Sequence, residues 1–302
     1  MGAPVVVLAG GTGGAKLARG LLDVCGEDLA AIVNTGDDVE MYRAYVSPDP
    51  DLVTFWLADR IDERGWGLAG DTFHAMEQLR ELGVDVWFNL GDRDLAIGLR
   101  RAERLRAGAT LTTALAELGA ALGVRARVLP MADQPVRTRV LARGRWVEFQ
   151  EFMIREGGAG PVDGVEYEGV EAASPPAAAL EAIAAARAII VGPSNPVISI
   201  RPILAVPGIA AALRESSAPV VAVSPIVGGA VVKGPTEPFM TWLGQPLSAA
   251  GVVRAYDGLL DGIVADEPVD GLPHLLTDTL MADAAARRRV GEETLRFAES
   301  LR

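Results

Sequence analysis

The chain has 302 residues, of which 50% are hydrophobic and 5% aromatic, and its formal net charge is -12. This composition supplies a large core and excludes a disordered or fibrous chain. The negative charge argues against nonspecific binding of nucleic acid, which needs lysine and arginine clustered on the phosphates. A polyanionic substrate would therefore need local compensation from backbone N–H groups, a few placed cations or a divalent metal.

Cysteine content and hydropathy narrow the class of protein further. The single cysteine, Cys25, excludes an intramolecular disulfide, and its place in an apolar helical pattern favours a buried structural thiol over a nucleophile. No apolar stretch reaches the roughly 18 residues of a membrane span, and no charged segment precedes the first strand pattern. We expect a cytoplasmic protein whose partners include neither membrane nor nucleic acid.

The first predicted elements are a strand at residues 5–8, a glycine-rich turn at 10–14 and a helix over 15–24. Residues 30–33 predict a second strand. Further short apolar runs predict strands at residues 84–88, 188–191 and 219–223. Strands that alternate with helices predict an α/β fold with a doubly wound, mostly parallel, Rossmann-like sheet, whose ligands bind at the carboxyl ends of the strands.

The chain from about residue 107 to 171 has a different pattern. A predicted helix at 111–122 is followed by strand-like runs at 127–129, 138–141 and 146–149. We interpret this stretch as a mixed α+β insertion lobe within one large α/β domain that spans residues 1–302. Beyond it, residues 175–186 predict a crossover helix and residues 281–301 a surface helix.

The glycine-rich turn, with Lys16 behind it, is typical of a phosphate site. Glycines let the backbone approach a phosphate, and the following helix presents unpaired N–H groups and a positive dipole end. The common fingerprints do not fit, because the dinucleotide motif read from Gly11 needs glycine where Lys16 stands, and the Walker motif needs Gly-Lys-Ser/Thr. The alternative is a tight turn that binds nothing. As a phosphate site it would comprise Gly11, Thr12, Gly13, Gly14 and Lys16.

Acidic residues are concentrated after the second predicted strand. Asn34-Thr35-Gly36-Asp37-Asp38 follows that strand, and Ser47-Pro48-Asp49-Pro50-Asp51 comes shortly afterwards. Carboxylates this dense, without a His or Cys cluster, suit a hard cation such as Mg²⁺, which bridges one or two carboxylates to substrate phosphates. Solvated aspartates and Asx turns are the alternative. We predict a site for a hard cation among these aspartates.

Three further loops follow predicted strands. Gly91-Asp92-Arg93-Asp94 follows the third, where Arg93 suits a fork of hydrogen bonds to phosphate; an N-capping aspartate with an exposed arginine is the alternative. The loops at 192–196 and 224–229 offer hydroxyl and amide groups suited to phosphate or base edges. The residues of these loops expected to bind substrate are Asp92, Arg93, Ser194, Asn195, Pro196, Ser224 and Gly228.

Together these motifs resemble the CofD/FbiA family, the 2-phospholactate or phosphoenolpyruvate transferases of coenzyme F-420 biosynthesis. The resemblance spans roughly residues 5–264 and includes Gly70-Asp71-Thr72-Phe73 and Pro130-Met131-Ala132-Asp133. The ordered motifs that carry it are Gly10-Gly11-Thr12-Gly13, Asn34-Thr35-Gly36-Asp37-Asp38, Ser47-Pro48-Asp49-Pro50-Asp51, Gly91-Asp92-Arg93-Asp94, Gly192-Pro193-Ser194-Asn195-Pro196 and Ser224-Pro225-Ile226-Val227-Gly228.

The resemblance implies a reaction that requires Mg²⁺. A guanosine diphospho-linked lactate, enolpyruvate or glycerate donates its phospho-acid unit to the ribityl hydroxyl of the deazaflavin Fo, and GMP leaves. Asp37, Asp38 and Asp51 are the expected catalytic residues, with Asp37 as candidate base. A metal on Asp38, Asp49 or Asp51 would stabilise the charge that builds on the phosphoryl group.

The expected substrate contacts divide between the two substrates. The loops at 11–14, 194–196 and 224–228 are assigned to the guanosine diphosphate half of the donor. Asp51, Asp92 and Arg93 are assigned to the Fo side, and Asn34 and Thr35 complete the expected binding residues. No motif identifies the three-carbon acid, because related acids differ by only a few atoms.

Two other functions stay open. The first is a non-catalytic regulator that binds a nucleotide sugar, because YvcK-like proteins resemble this chain in fold and in the first glycine-rich loop. Such a regulator needs neither a metal nor an acceptor site, so the motifs at 47–51 and 91–94 favour the transferase. An NAD-dependent oxidoreductase is disfavoured by the failed dinucleotide fingerprint. The resemblance to the family also implies a homodimer.

Overall fold

The computed structural model describes residues 2–256 and 258–302. In chain order the strands are β1 (Val5–Ala9), β2 (Leu29–Val33), β3 (Val39–Met41), β4 (Ala44–Val46), β5 (Arg127–Pro130), β6 (Arg137–Ala142), β7 (Arg145–Glu148), β8 (Gly164–Glu168), β9 (Ala188–Val191), β10 (Val220–Val223), β11 (Ile226–Val227), β12 (Ala230–Val231), β13 (Gly262–Ala265) and β14 (His274–Leu276).

The α-helices are α1 (Gly11–Cys25), α2 (Pro48–Leu57), α3 (His74–Glu81), α4 (Asp92–Arg106), α5 (Leu111–Ala121), α6 (Phe149–Ile154), α7 (Ala177–Ala184), α8 (Arg201–Ala205), α9 (Ile209–Glu215), α10 (Thr236–Trp242), α11 (Ala249–Ala255) and α12 (Ala284–Ser300). Short 3₁₀-helices lie at Gly26–Asp28 and Val170–Ala172, and a π-helix lies at Pro196–Ile200.

A parallel sheet forms the centre of the molecule. Its strand order is β14-β13-β10-β9-β1-β2-β5, and each neighbouring pair is parallel. The chain moves from β1 to β2 on one side and later returns to β9 on the other side of β1. The loops that leave β1 and β9 therefore separate at a topological switch point, where ligands of such sheets bind. The predicted doubly wound α/β fold is confirmed.

Helices bury both faces of this sheet. Side chains alternate along a strand, so Val5 and Val7 of β1 pack with α1, α2 and α12, while Val6 and Leu8 pack with α7, α9 and α11. Every residue of β1 is fully buried. A continuous apolar strand of this kind is typical of a parallel sheet covered on both faces.

A smaller antiparallel sheet lies beside the site. In it, β6 pairs with both β7 and β8. Phe149, Phe152 and Phe239 pack edge to face beneath it. Val197 and Ile198 of the π-helix join the same cluster, so this sheet is packed on the segment that follows β9.

Most of the predicted strands are confirmed. Those at 5–8, 30–33, 188–191 and 219–223 are β1, β2, β9 and β10. The strand predicted at 84–88 is wrong, because these residues pair with no other strand in the described chain. Val86 and Phe88 instead pack with Val39 and Met76 in a small cluster. A short apolar run fits such a buried loop as well as a strand.

The remaining elements refine the prediction. The run at 127–129 pairs with β2 as the edge strand β5, so it belongs to the main sheet and not to the lobe. The predicted helices at 111–122, 175–186 and 281–301 are confirmed as α5, α7 and α12. Within the described residues no single helix is long and apolar enough to cross a membrane, although the bent pair Pro196–Ala205 and Ile209–Glu215 reaches that length and composition together.

A glycine contact between α1 and α12 gives a test of the packing. An ideal Cβ on Gly20 would lie 2.2 Å from the carbonyl oxygen of Arg287. We predict that Gly20→Ala separates the two helices and lowers the free energy of unfolding by about 1–3 kcal/mol in urea titrations. Gly119→Ala in α5 is the control, because its Cβ would meet nothing closer than 3.9 Å. Equal effects of the two substitutions would contradict this account.

Candidate active site

The predicted glycine-rich turn is the first turn of α1 at the switch point, because α1 begins at Gly11 and only Gly10 separates it from β1. Gly11 has a φ of +61°, which favours glycine. An ideal Cβ on Gly13 would lie 1.9 Å from the carbonyl oxygen of Pro193, and one on Gly14 would lie 2.7 Å from Ser194 Oγ. Gly13 and Gly14 are therefore required for close packing against the loop after β9. Gly11, Thr12 and Gly13 are half-buried at the start of α1, where a helix presents N–H groups to anions.

Asn34 connects the segments that surround this turn. Its Nδ2 donates to Asp49 Oδ2 at 2.9 Å and to the carbonyl oxygen of Ile198 at 3.3 Å. Its Oδ1 accepts from the amide of Gly36 at 2.8 Å. The side chain is fully buried. Asn34, predicted to bind substrate, therefore holds β2, α2 and the π-helix in register. The neighbouring Thr35 is also buried, and its Oγ1 has no hydrogen-bond partner among the described residues.

Three of the four aspartates of the acidic motifs are buried. Asp37, Asp38 and Asp49 are 6%, 2% and 5% exposed, which excludes the alternative of solvated loop carboxylates. Asp49 lies in the first turn of α2, and its Oδ1 accepts from the amide of Gly11 at 2.7 Å. The acidic motif is thus attached directly to the start of α1.

Asp37 lies close enough to Asp49 for the two buried carboxylates to repel one another. Burial, and next the Asp49 carboxylate, raise the pKa of Asp37 well above its ordinary value. Burial likewise raises the pKa of Asp49 to about 6, although hydrogen bonds from Asn34 and Gly11 lower it. Oδ1 of Asp37 is buried and has no partner among the described residues. A cation between the two carboxylates would remove this desolvation cost.

Asp38 faces the small antiparallel sheet. Its Oδ1 accepts from Ser47 Oγ at 2.7 Å, while its buried Oδ2 has no partner in the described chain. Burial raises the pKa of Asp38 to about 7, and the guanidinium of Arg137 opposes this rise. Arg137 begins β6 and donates to Tyr45 Oη at 3.3 Å. A narrow crevice lies here, lined by residues 36–39, 137–138 and 148–150.

Asp51 is engaged in an ion pair. Arg101 of α4 contacts both of its carboxylate oxygens, and the Arg101 side chain is only 2% exposed. Burial raises the pKa of Asp51, and Arg101 opposes it. A metal on Asp51 would have to displace Arg101. The described residues contain no group of three or more His, Cys, Asp or Glu side chains placed to hold a metal, so Asp38, Asp49 and Asp51 do not converge.

The segment at 91–94 does not follow a strand; it begins α4. Asp92 accepts hydrogen bonds from Thr72 Oγ1 and from the amides of His74 and Ala75, and thereby caps α3. These bonds lower the pKa of Asp92. Asp71 caps α4 in return, because its carboxylate accepts from the amides at positions 93 and 94. The capping alternative therefore accounts for Asp92.

Arg93 and Asp94 differ in their surroundings. The Arg93 side chain is exposed and donates to the carbonyl oxygen of Ala69 at 3.1 Å. Asp94 Oδ1 is buried without a partner in the part of the chain described. Burial, and then the charges of Asp51 and Asp71, raise the pKa of Asp94 to about 7.

The two later loops leave the adjacent strands β9 and β10. Ser194 Oγ donates to the carbonyl oxygen of Gly10 at 2.5 Å, which holds the glycine-rich turn. Asn195 Oδ1 caps the π-helix that begins at Pro196, while its buried Nδ2 has no partner among the described residues. Ser224 Oγ accepts from the amide of Ile226, and the amide of Gly228 donates to Asp266.

Two residues near the acidic centre were missed by the prediction. Neither Arg101 nor Arg137 is among the residues that the sequence analysis expects to bind substrate or metal. Each becomes important only through a tertiary contact, with Asp51 and Asp38 respectively. No local pattern in the sequence marks either contact.

The buried ion pair gives a prediction for stability. Arg101→Met leaves the Asp51 carboxylate buried without its partner, so we expect the free energy of unfolding to fall by about 3–5 kcal/mol. Arg100→Met is the control, because Arg100 forms only an exposed pair with Glu103, worth less than about 1 kcal/mol. The double variant Asp51→Asn/Arg101→Met should recover part of the loss in urea titrations. Equal losses for Arg100→Met and Arg101→Met would contradict the assignment.

Asp38 gives a prediction for pH dependence. Its pKa is higher in the folded than in the unfolded protein, so its burial costs nothing at low pH and costs more as pH rises toward 7. Asp38→Asn keeps the Ser47 contact and should raise the free energy of unfolding of metal-free protein by up to about 4 kcal/mol at about pH 8, and by less at about pH 5. The exposed Asp270→Asn should show no such trend. A gain that is independent of pH would exclude this explanation.

Comparisons with known proteins identify a family model and sequence relatives that match most of this chain. The family model described as "2-phospho-L-lactate transferase CofD" matches residues 5–284. Proteins named 2-phospho-L-lactate transferase are 41% identical in Methanopyrus kandleri, over 98% of both chains, and 40% identical in Methanosarcina mazei, over 87% of both. A protein of Streptomyces coelicolor named phosphoenolpyruvate transferase is 39% identical over 99% of both chains.

A solved structure has the same fold. The crystal structure of a UPF0052 family member from Bacillus halodurans superimposes with a TM-score of 0.64 and 19% identity, covering 98% of this chain and 99% of that one. At this identity the similarity shows the fold alone. The family model matches residues 5–284, a range that contains the positions of each of the motifs described above, and the relative from Methanopyrus kandleri covers 98% of the chain. The chain therefore belongs to the CofD family of 2-phospholactate and phosphoenolpyruvate transferases.

Proposed function

We propose that this chain transfers a phospho-acid group from a guanosine diphospho-linked donor to the ribityl hydroxyl of the deazaflavin Fo and releases GMP. The acid is lactate, enolpyruvate or glycerate. The names of the relatives support the transferred group, since they specify 2-phospholactate and phosphoenolpyruvate. The observation that carries the proposal is the buried pair of Asp37 and Asp49 beside the start of α1, at the switch point of the sheet.

The donor's diphosphate is assigned to the start of α1. The Gly11 amide donates to Asp49, and the half-buried Thr12 and Gly13 that follow it lie where the helix N-terminus attracts anions. Backbone groups serve this role well in a chain with a net charge of -12, because they need no exposed cation. The loops after β9 and β10 border the same edge and are assigned to the rest of the guanosine nucleotide.

Asp37 and Asp49 are the residues that we assign to Mg²⁺. Asp37 offers an oxygen that has no hydrogen-bond partner among the described residues, and a cation would relieve the repulsion between the two carboxylates. Mg²⁺ normally takes one or two carboxylates together with substrate phosphates, so a two-carboxylate site is sufficient. When bound, it would neutralise charge on the donor's phosphoryl oxygens.

Asp38 is the residue that we assign as base, in place of Asp37. Its buried Oδ2 has no hydrogen-bond partner among the described residues and would accept the proton, and its pKa near 7 matches a general base at neutral pH. The ribityl oxygen would bond to the phosphorus that carries the acid, the bond from that phosphorus to the GMP oxygen would break, and the proton would pass to Asp38. Ser47 and Arg137 hold this carboxylate in place.

The reaction is tested directly by mass spectrometry. The protein is incubated with Fo, Mg²⁺ and each of the three guanosine diphospho-linked acids, and GMP and the heavier deazaflavin are quantified. We expect both products from at least one donor. Asp49→Ala and Asp38→Asn should lower turnover by about 100-fold or more, while the exposed Asp270→Asn should not.

Other outcomes separate the competing functions. GMP without a heavier deazaflavin would identify hydrolysis of the donor and exclude Fo as acceptor. Absence of both products, together with binding of a nucleotide sugar in calorimetry, would favour the YvcK-like regulator.

A further inference from the structure

The fold brings together the two lysines of the sequence. Lys16 lies in α1, and Lys233 follows β12. The sequence has 28 lysine and arginine residues in total, and all except these two are arginines. Lys233 Nζ lies 3.6 Å from an ideal Cβ on Gly65, on a segment that precedes α3. The pKa of Lys16 is lowered by burial and then by the charges of Arg287 and Lys233, so these cations lie close to one another.

Arg287 and Trp56 complete this group, which we call the lysine cluster: Lys16, Lys233, Arg287 and Trp56. Lys16 Nζ lies 5.9 Å from the centre of the Trp56 ring, and the Arg287 guanidinium lies 4.9 Å from it. Trp56 is 8% exposed. Its Nε1 and the Nε of Arg287 are buried, and neither has a hydrogen-bond partner in the described chain. Both of these N–H groups are therefore able to donate a hydrogen bond to a bound anion.

No acidic side chain in the described part of the chain pairs with the lysine cluster. Within the described residues, Lys16, Lys233 and Arg287 form no salt bridge. Arg19, only three positions beyond Lys16, contacts both Asp23 and Asp59. In a chain with 40 acidic residues, three cations held together without a carboxylate indicate a site that an anion neutralises. Lys16 instead donates to the carbonyl oxygen of Met281 at 3.1 Å, which orients its ammonium group.

The lysine cluster lies within reach of the acidic centre. Asp49 contacts the first residue of α1, and Lys16 follows five residues later, about 7.5 Å along the helix. Trp56 follows Asp49 on α2 by seven residues, about 10 Å. Helical side chains point back toward the N-terminus, so Lys16 reaches toward the edge of the sheet where Asp49 lies. A diphosphate with a three-carbon acid attached spans a distance of this order.

We propose that the lysine cluster binds the acid end of the donor through its carboxylate, while the phosphoryl group attached to that acid stays with the rest of the diphosphate at the start of α1. This inference rests on the proposed function and assigns the part of the substrate that no motif identified. Lys16 and Arg287 bind the anion from α1 and α12, and Lys233 closes over it from the loop after β12. The Trp56 indole N–H supplies a neutral donor. The nucleotide phosphates are the competing source of an anion.

Chemical labelling of the lysines tests the site without an activity assay. The native protein is treated with an amine-reactive acylating reagent near neutral pH, and labelling of Lys16 and Lys233 is read by peptide mass spectrometry. Phosphoenolpyruvate, 2-phospholactate and 3-phosphoglycerate are the probes, with GMP as comparison. We expect at least one phospho-acid to slow labelling of both lysines severalfold, and GMP to have no effect. Protection by GMP alone, or by no probe, would overturn the proposal.

Variants add a second readout by titration calorimetry. Lys233→Met and Arg287→Met should each weaken binding of the protecting phospho-acid by about tenfold, the effect of one lost charge-assisted contact. Affinity for GMP should change less than about twofold. Arg288→Met, an exposed neighbour on α12, is the matched control. Equal weakening by Arg288→Met would show a general charge effect and refute the site.

The two proposals fail in different ways. If a phospho-acid protects the two lysines from labelling but the native protein releases no GMP from any donor, the proposed function is wrong and the anion site stands. If GMP and a heavier deazaflavin form while no phospho-acid protects either lysine, the transferase stands and the lysine cluster does not hold the acid.

Discussion

One buried carboxylate holds the candidate site together. Asp49 accepts from the amide of Gly11 and from the side chain of Asn34, and these bonds fix the starts of α1 and α2 and the end of β2 relative to one another. Burial makes this arrangement costly, because the nearby Asp37 adds a second carboxylate with little compensation. The centre therefore has an excess of negative charge, and the lysine cluster an excess of positive charge. Binding of a metal and an anionic substrate would balance both.

The sheet and the position of the site could be predicted from the sequence because local patterns were sufficient. Runs such as residues 188–191 are apolar throughout, and in a parallel sheet both faces are buried, so the strand needs no polar alternation to be recognised. The motifs that follow these strands converge because carboxyl ends of parallel strands share one edge. The aspartates after β2 belong to this predictable part, although the sequence did not distinguish buried from solvated carboxylates.

The remaining features depend on contacts that no local pattern contains. Residues 84–88 have the composition of a strand, yet they fill a small cluster beside α3. Arg101 looks like one of several arginines on a polar helix until α4 packs against β4 and places it on Asp51. Lys233 lies in a glycine-rich loop that the prediction did not use, and only the tertiary fold places it near Lys16. Such tertiary contacts depend on how the elements are arranged in the fold, and a single sequence does not contain that information.

The reciprocal caps at Asp71 and Asp92 have a consequence for cooperativity. Each aspartate lies next to one helix and completes the first turn of the other, so neither α3 nor α4 has a finished N-terminus unless the other is in place. Local opening of this region should therefore involve both helices as one unit. Because α4 also carries Arg101, such an opening would release Asp51 from its ion pair and connect a fluctuation at the periphery to the charge balance of the cleft.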